Sequence, residues 1–440
     1  MTAGGSCTVA GVSQSGSGSG SDRASGKAGS AGGPATAGEI GAVLAAALRL
    51  GLSSFGGPIA HIGYFRREYV ERRRWLDDRA FAELLALCQS LPGPASSQLG
   101  IAIGTRRAGI VGGIVSWLGF TVPSAILLVL FGLVAGGADV ASAGWVHGLK
   151  LAAVAVVAQA LVILARSLAP DLPRQLVAVA AAAVALAATT PFTQVAIIVA
   201  GAAIGWGLLR TGEPRDESDA VGAPAIGPTG PIGRRTGLAA LAAFAVLLLG
   251  LPLLEAVTGS TAVAMVETYY RTGSLVFGGG HVVLPLLDAG VVDPGWVSED
   301  RFLAGYGAAQ AVPGPLFSFA AYLGSVAASP LGGWPGGAVA LVAIYLPSFL
   351  LLFGVLPFWD RLRASAGFRR ALTGANAAVV GLLAAALYNP IWTGAIGTWL
   401  DVAIAAAGLS LLATNRVPPI AVVAGCALAG QLVAGLPGPT

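Results

Sequence analysis

Helix breakers sit inside stretches of this chain that are otherwise apolar enough to cross a lipid bilayer, and that pairing limits what it can fold into. Residues 175–209, 302–359 and 371–400 carry no Asp, Glu, Lys or Arg. A spanning helix needs roughly 20 mostly apolar residues, so each run holds one or two crossings. Only 10% of the 440 residues are charged, against about 25% in a soluble domain, and the mean hydropathy is +0.78. The chain reads as an all-α polytopic membrane protein. Into its apolar segments fall Ser53-Ser54-Phe55-Gly56-Gly57-Pro58, with His61 close behind, and Gln89-Ser90-Leu91-Pro92-Gly93-Pro94. In hydrocarbon an unpaired backbone group costs several kcal/mol, so a broken helix persists only where protein or a water-filled cavity satisfies it.

Both motifs return. Phe277-Gly278-Gly279-Gly280-His281 follows the first at an offset of 222, and Gln310-Ala311-Val312-Pro313-Gly314-Pro315 follows the second at 221. Trp296 answers Trp75, Gly336-Gly337 answers Gly112-Gly113, and Pro347-Ser348 answers Pro123-Ser124. The chain is a duplicated unit. Paired interrupted segments in two halves are a sequence-level pointer to a transporter's binding site.

A Gly-, Ser- and Ala-rich tail over 1–36 reads as disordered, followed by a first repeat over 37–209, a polar linker over 210–235 and a second repeat over 236–440. The second repeat has an extra leading segment, 236–255. The apolar segments of the first repeat run near 37–65, 80–104, 109–135, 141–168, 175–190 and 191–209. About 10–13 transmembrane segments are expected in all. If each segment spans, seven crossings separate the two FGG motifs, an odd number that makes the repeats inverted. The arginine-rich loop 66–79 against the arginine-poor loop 288–301 agrees, since basic loops prefer the cytoplasm. Arg106-Arg107 and the group Arg361, Arg363, Arg369 and Arg370 disagree, because they then face outward. Treating 80–104 as a re-entrant hairpin moves Arg106-Arg107 inside but makes the repeats parallel. Inverted repeats are the favoured reading.

At the first break, Gly56 and Gly57 let the backbone leave helical geometry, and Pro58 suits a helix start. A half-helix beginning there aims free N–H groups inward, which makes an anion site; a glycine-mediated crossing with a proline kink is the plainer alternative. Pro92, Gly93 and Pro94 stop a helix in mid-segment. Gln89, Ser96, Ser97 and Gln98 beside them can donate to an oxyanion, while a turn that only shapes a gate is the alternative. In the second half Gln310, Pro313, Gly314 and Pro315 remain. Arg49, four residues before Ser53, is a candidate counter-charge, as is Lys150, which aligns with Asn376. His61 and His281 could carry a coupling proton, and so could Glu83 or Glu267. Cys7, Cys88 and Cys426 lie too far apart for a metal motif, and no cofactor or metal is expected.

These motifs, in order, spacing and duplication, resemble the chromate ion transporter family in its long two-domain form, over almost all of the chain from about residue 40. The resemblance implies a prokaryotic inner-membrane protein with halves of opposite orientation. It implies proton-driven export of chromate, with sulfate as a related oxyanion. Transport of sulfate or another oxyanion as the physiological role is the nearest rival. A membrane-embedded enzyme is disfavoured, because the histidines, cysteines and acids do not cluster, and no P-loop is present for an ATP-driven pump.

Overall fold

The computed structural model describes residues 36–55, 57–135, 143–188, 191–209, 232–276, 282–328, 332–414 and 416–434. The expected tail lies outside these residues except for Thr36, and so does the linker except for 232–235. In the first half, α1 (Ala37–Ser53) starts at a capping box between Thr36 and Glu39. It is followed by α2 (Gly57–Arg66), continued by a π-turn at Arg67–Arg72, and by α3 (Asp78–Ser90), capped by Asp77. Next come α4 (Ala95–Ala135), α5 (Gly144–Leu168), α6 (Leu172–Ala187) and α7 (Pro191–Leu208). The second half opens with the extra helix α8 (Arg234–Thr258), then α9 (Thr261–Leu275), α10 (Val283–Val291) and α11 (Glu299–Ala311). It ends with α12 (Phe319–Val326), α13 (Gly333–Val355), α14 (Trp359–Ala364), α15 (Ala366–Ala386), α16 (Trp399–Ala413) and α17 (Pro419–Ala434). Among the described residues, five helices are long and apolar enough to cross a membrane: Ala95–Val134, Gly144–Leu168, Arg234–Thr258, Gly333–Leu362 and Ala366–Ala395.

Both breaks of the first repeat are hairpin tips rather than kinks in spanning helices. The chain turns back after α1: Arg73 donates to Ala42 O, Arg49 approaches Glu68, and His61 reaches Ser54 O. That pairing of early with late residues is antiparallel. α3 and the first leg of α4 form the second hairpin, with Pro92-Gly93-Pro94 at its tip. A leg of 13 residues, as in α3, is about 20 Å long, too short for a hydrocarbon core of roughly 30 Å. α4 itself folds back at Ala108 and Gly109, where φ is 65° at the glycine. Gly104 then packs on Gly112 O, and Ser116 Oγ donates to Gly100 O at 2.8 Å. The reading of 37–65 and 80–104 as single crossings is therefore corrected to two re-entrant hairpins. Arg107 beside Glu39 and over the Trp75 ring gathers their open ends at one end of the bundle.

The second repeat repeats this plan upside down. Gly290 abuts Thr268 in the α9–α10 hairpin, and Tyr322 donates to Arg301 O in the α11–α12 hairpin. The second leg of α4 and its counterpart α13 cross in opposite senses: Val129 meets Gly337, while Trp117 meets Tyr345 and Phe349 at ring centroids 5.5 and 5.7 Å away. The far end of α4, at Gly132, touches Tyr322 and Ser325 near the open end of the second repeat's hairpins. The two halves are thus inverted repeats. Five passes from one end to the other separate the two FGG motifs, namely the second leg of α4, the long helices α5 and α8, and the shorter apolar helices α6 and α7. Two hairpins instead of one keep the count odd and bring Arg106 and Arg107 to the same end as Arg361, Arg369 and Arg370.

Glycines carry the close crossings, as expected where packing rather than hydrophobicity joins helices. They too occur in duplicate. Gly51 sits on Gly119 and Phe120 carbonyls and its counterpart Gly273 on that of Ile344. Gly148 of α5 packs on Cys426 and Gly430 of α17, and Gly374 of α15 packs on Gly201 and Gly205 of α7. Each half therefore lays its closing helices against the other half, so the repeats interlock. Charge divides between the ends. The basic end holds the arginines of 66–79, Arg106, Arg107, Arg166, Arg174, Arg234, Arg235 and those of 361–370. The opposite end holds Glu255, Asp288, Asp293, Glu299, Asp300 and Asp401 with few cations.

Candidate functional site

The hairpin tips meet at the middle of the bundle, and they meet reciprocally. Gly93 N–H, in the first PGP turn, donates to Val276 O at 2.7 Å, immediately before the second FGG motif. Gly314 N–H, in the second PGP turn, donates to Ser54 O at 2.9 Å, immediately before Phe55-Gly56-Gly57. Val276 and Ser54 stand at the repeat offset of 222. Both PGP glycines hold positive φ, 119° at Gly93 and 113° at Gly314, which favours glycine. Each also lies against a serine behind the mid-helix proline of the other repeat's long helix. A Cβ on Gly93 would fall 2.5 Å from Ser348 Oγ, and one on Gly314 would fall 2.8 Å from Ser124 Oγ. One local contact, made twice, joins all four motifs.

The polar groups around this junction are unevenly matched. Gln98 Nε2 donates to Pro92 O at 2.6 Å and its N–H to Pro94 O, so that side chain braces the first turn. Ser318 Oγ braces the second by donating to Pro315 O at 2.6 Å, beside Pro313 and Gly314. Ser97 Oγ lies 3.3 Å from Tyr345 Oη, and Ser96 Oγ lies 3.4 Å from His61 Nδ1. His61 is buried, with Nε2 at Ser54 O and Phe120 edge-on to its ring, so both nitrogens are engaged in bracing the tip. Against these stand polar atoms buried without a partner among the described residues: Ser54 Oγ, Ser348 Oγ, Gln98 Oε1 and Gln310 Nε2. Ser54 and Ser348 are fully buried. An unsatisfied buried hydroxyl costs about 1–3 kcal/mol, a cost that a ligand in the junction would relieve. The helix C-terminal carbonyls at Ser54 and Val276 are already taken by the glycine N–H groups. The starts of α2, the first leg of α4 and α10 face the same region, and the first N–H groups of a helix lack intrahelical partners; at the start of α12 a 3-10 turn over Leu316–Ser318 takes the Phe319 N–H instead.

Other expected residues stand apart from the junction. The Arg49 side chain is half exposed and approaches Glu68 at 3.9 Å, and Glu68 also takes Arg72 and Arg73. Ser53 Oγ turns back to Arg49 O, and Gln89 is exposed. Lys150 is buried near the acidic end, paired with Asp300. Its counterpart Asn376, in α15, leaves Oδ1 buried and unpartnered. Glu83 and Glu267 each pair with an arginine one turn away, Arg79 and Arg271. Phe55 is half-buried at the tip. Gly56, Phe277, Gly278, Gly279, Gly280 and His281 lie outside the described residues, as does the side chain of Pro58. Sequence reasoning used Pro123-Ser124 and Pro347-Ser348 only as marks of the duplication and missed Ser348 and Tyr345 as site residues. The available signal was a polar residue beside a mid-helix proline at the same position in both halves. Among the described residues no three His, Cys, Asp or Glu side chains are grouped to hold a metal.

Interrupted helices paired across two inverted halves, closing on a buried polar junction, are the build of a secondary transporter's substrate site. The chromate transporter family model matches residues 41–206 and again 263–431, and the chain belongs to that family. It is 30% identical over 406 residues to a chromate transport protein of Pseudomonas aeruginosa, covering 88% of this chain and 90% of that one. A probable chromate transport protein of Synechococcus elongatus is 28% identical over 360 residues, 77% of this chain and 81% of its own length. An uncharacterized transporter of Bacillus subtilis, YwrA, aligns over 155 residues at 34% identity, 82% of its length but only 34% of this chain. No solved structure matches the chain.

Proposed function

We propose that this protein is a secondary active transporter that exports chromate across the prokaryotic inner membrane in exchange for protons, with the basic end of the bundle in the cytoplasm. Basic loops prefer that side. The observation that carries the reading is the reciprocal junction, where two PGP glycines close on the backbone before the opposite FGG motifs beside unpartnered Ser54 and Ser348 hydroxyls. Hydroxyls, amides and helix N-termini suit a tetrahedral dianion, and no carboxylate lies among these groups. The substrate-contacting set is Ser54, Phe55, Gly57, Gln98, Gly93, Gln310 and Gly314 from the motifs, joined by Ser348.

Ser54→Ala and Ser348→Ala test this directly, because each removes a hydroxyl that has no partner among the described residues. Thermal stability in detergent should hold or rise, while chromate uptake into everted vesicles falls about tenfold, the loss of one hydrogen bond to a charged group. Unchanged flux in both variants would sink the site. Sulfate flux without chromate flux, measured in the same vesicles, would keep the site and change the substrate.

A further inference from the structure

The two repeats differ in charge at one matched position. In the first, Arg66 ends α2 and neutralises two carboxylates, Glu71 at 2.5 Å and Asp78 at 2.8 Å. At the repeat offset of 222 these three residues become Asp288, Asp293 and Asp300. The two acids are kept as acids, but the arginine that held them is replaced by a third carboxylate. Asp300 finds a cation on another helix, Lys150 of α5. Nothing does the same for Asp288 or Asp293: among the described residues neither has a cation partner, and Asp288 Oδ1 is buried with no hydrogen-bond donor.

Asp288 borders a cavity of about 90 Å³, lined also by Asp293, Gln194, Pro285 and Asn389. That is room for several waters. Gln194 is already committed to Pro285 O at 2.8 Å, and Asn389 accepts from Thr393. The walls supplied by α6 and α15 are alanine and leucine and carry no titratable group. Asp293 and Glu299 are the charged groups that face Asp288, and both are acids. On α9, Glu267 is tied to Arg271. Burial, reinforced by Asp293 and Glu299, pushes the Asp288 carboxyl up to about 7. A buried carboxylate that no cation neutralises is neutralised by a proton.

We propose that Asp288 is a proton-binding site at the acidic end, reached through this cavity, and that it carries the proton exchanged for the oxyanion. The step is simple addition: a carboxylate oxygen takes a proton from cavity water to become a hydroxyl donor, and releases it again. Asp288 rides on α10, the returning leg of the second FGG hairpin, so its charge state acts on an element that ends at the junction. Opposite ends then serve opposite ions, with anions gathered at the arginines and protons at the carboxylates. The assignment rests on the exchange reading above, and the following measurements separate the two.

Purified protein in liposomes is assayed for chromate counterflow with equal pH on both sides, and for chromate accumulation driven by an imposed pH gradient. Asp288→Asn should keep counterflow within about twofold and lose gradient-driven accumulation at least tenfold, and Asp288→Glu should restore much of it. Asp288→Arg, which recreates the pairing of the first repeat, should behave like Asp288→Asn. The direct readout is the infrared band of a protonated carboxyl, which should titrate near neutral pH in the wild type and vanish in Asp288→Asn. Gradient-driven accumulation at the wild-type rate in Asp288→Asn, or a band that survives the substitution, overturns the proposal. A wild type that shows the band but no gradient-driven flux removes the exchange reading and leaves the proton site standing.

Discussion

A methyl group on Gly93 would sit 2.5 Å from Ser348 Oγ and 2.6 Å from Gln98 Nε2, on a backbone held at φ 119°. Two separable penalties meet there, strain of about 1–3 kcal/mol for a side chain in a sparsely populated region and a steric conflict with a serine. Gly93→Ala should therefore lower the melting temperature and abolish flux. Adding Ser348→Ala should recover part of the stability, because it removes the conflict with the serine and leaves the strain and the Gln98 contact. Gly314→Ala with Ser124→Ala should behave in the same way, measured by thermal denaturation of the detergent-solubilised protein. The glycines could be read from sequence because duplication marked them and because Pro-Gly-Pro has few conformations open to it. Ser348 could not, since a serine in a long apolar helix looks the same whether it bonds its own backbone, as Ser124 does with Thr121 O, or is left unmatched. That Arg49 and Lys150 stand away from the junction, beside Glu68 and Asp300, was hidden for a related reason: sequence distance does not show which turns and helices come near.

In the PGP segments hairpins replaced crossings because the legs are too short, 13 residues in α3 and 13 in α11. From Asp77, which caps α3, to the PGP tip there is chain for about 20 Å of helix, and that length was already available in the sequence. Hydropathy alone hid it, because two apolar legs in succession have the profile of one spanning helix. The inverted reading survived with a different count, since converting two segments per repeat instead of one leaves the parity unchanged. Packing between the halves was not legible at all; the glycines that make it are separated by more than 150 residues and have no distinguishing neighbours. Gly148 on the Cys426 carbonyl and Gly374 on that of Gly201 leave no space for a side chain. Cleavage at a protease site placed within 210–231 should leave the wild-type halves co-eluting on size exclusion. Gly148→Leu or Gly374→Leu should release one half from the other, and continued co-elution of both variants would show that the interlock does not depend on these crossings.

Across the molecule, the arginines that looked contradictory along the sequence collect at one end, and a group of acids that includes Asp288 and Asp293 collects at the other. The sequence could not show this, because the end on which a loop emerges depends on every turn before it. With the basic end in the cytoplasm, a membrane-impermeant thiol reagent should label Arg361→Cys only from the cytoplasmic side and Pro294→Cys only from the outer side, in a background lacking native cysteines. Labelling of both from one side would contradict the inverted arrangement. The junction at the centre has a further consequence. Each half brings one N–H and one carbonyl to it, and each is the complement of what the other half brings, so a single half is a surface that fits its own upside-down copy. A chain encoding only one such unit would leave its PGP glycine and the carbonyl before its FGG motif open in the membrane. It would have to find a second unit inserted in the opposite sense, and joining two units in one polypeptide fixes the ratio of the two orientations at one to one.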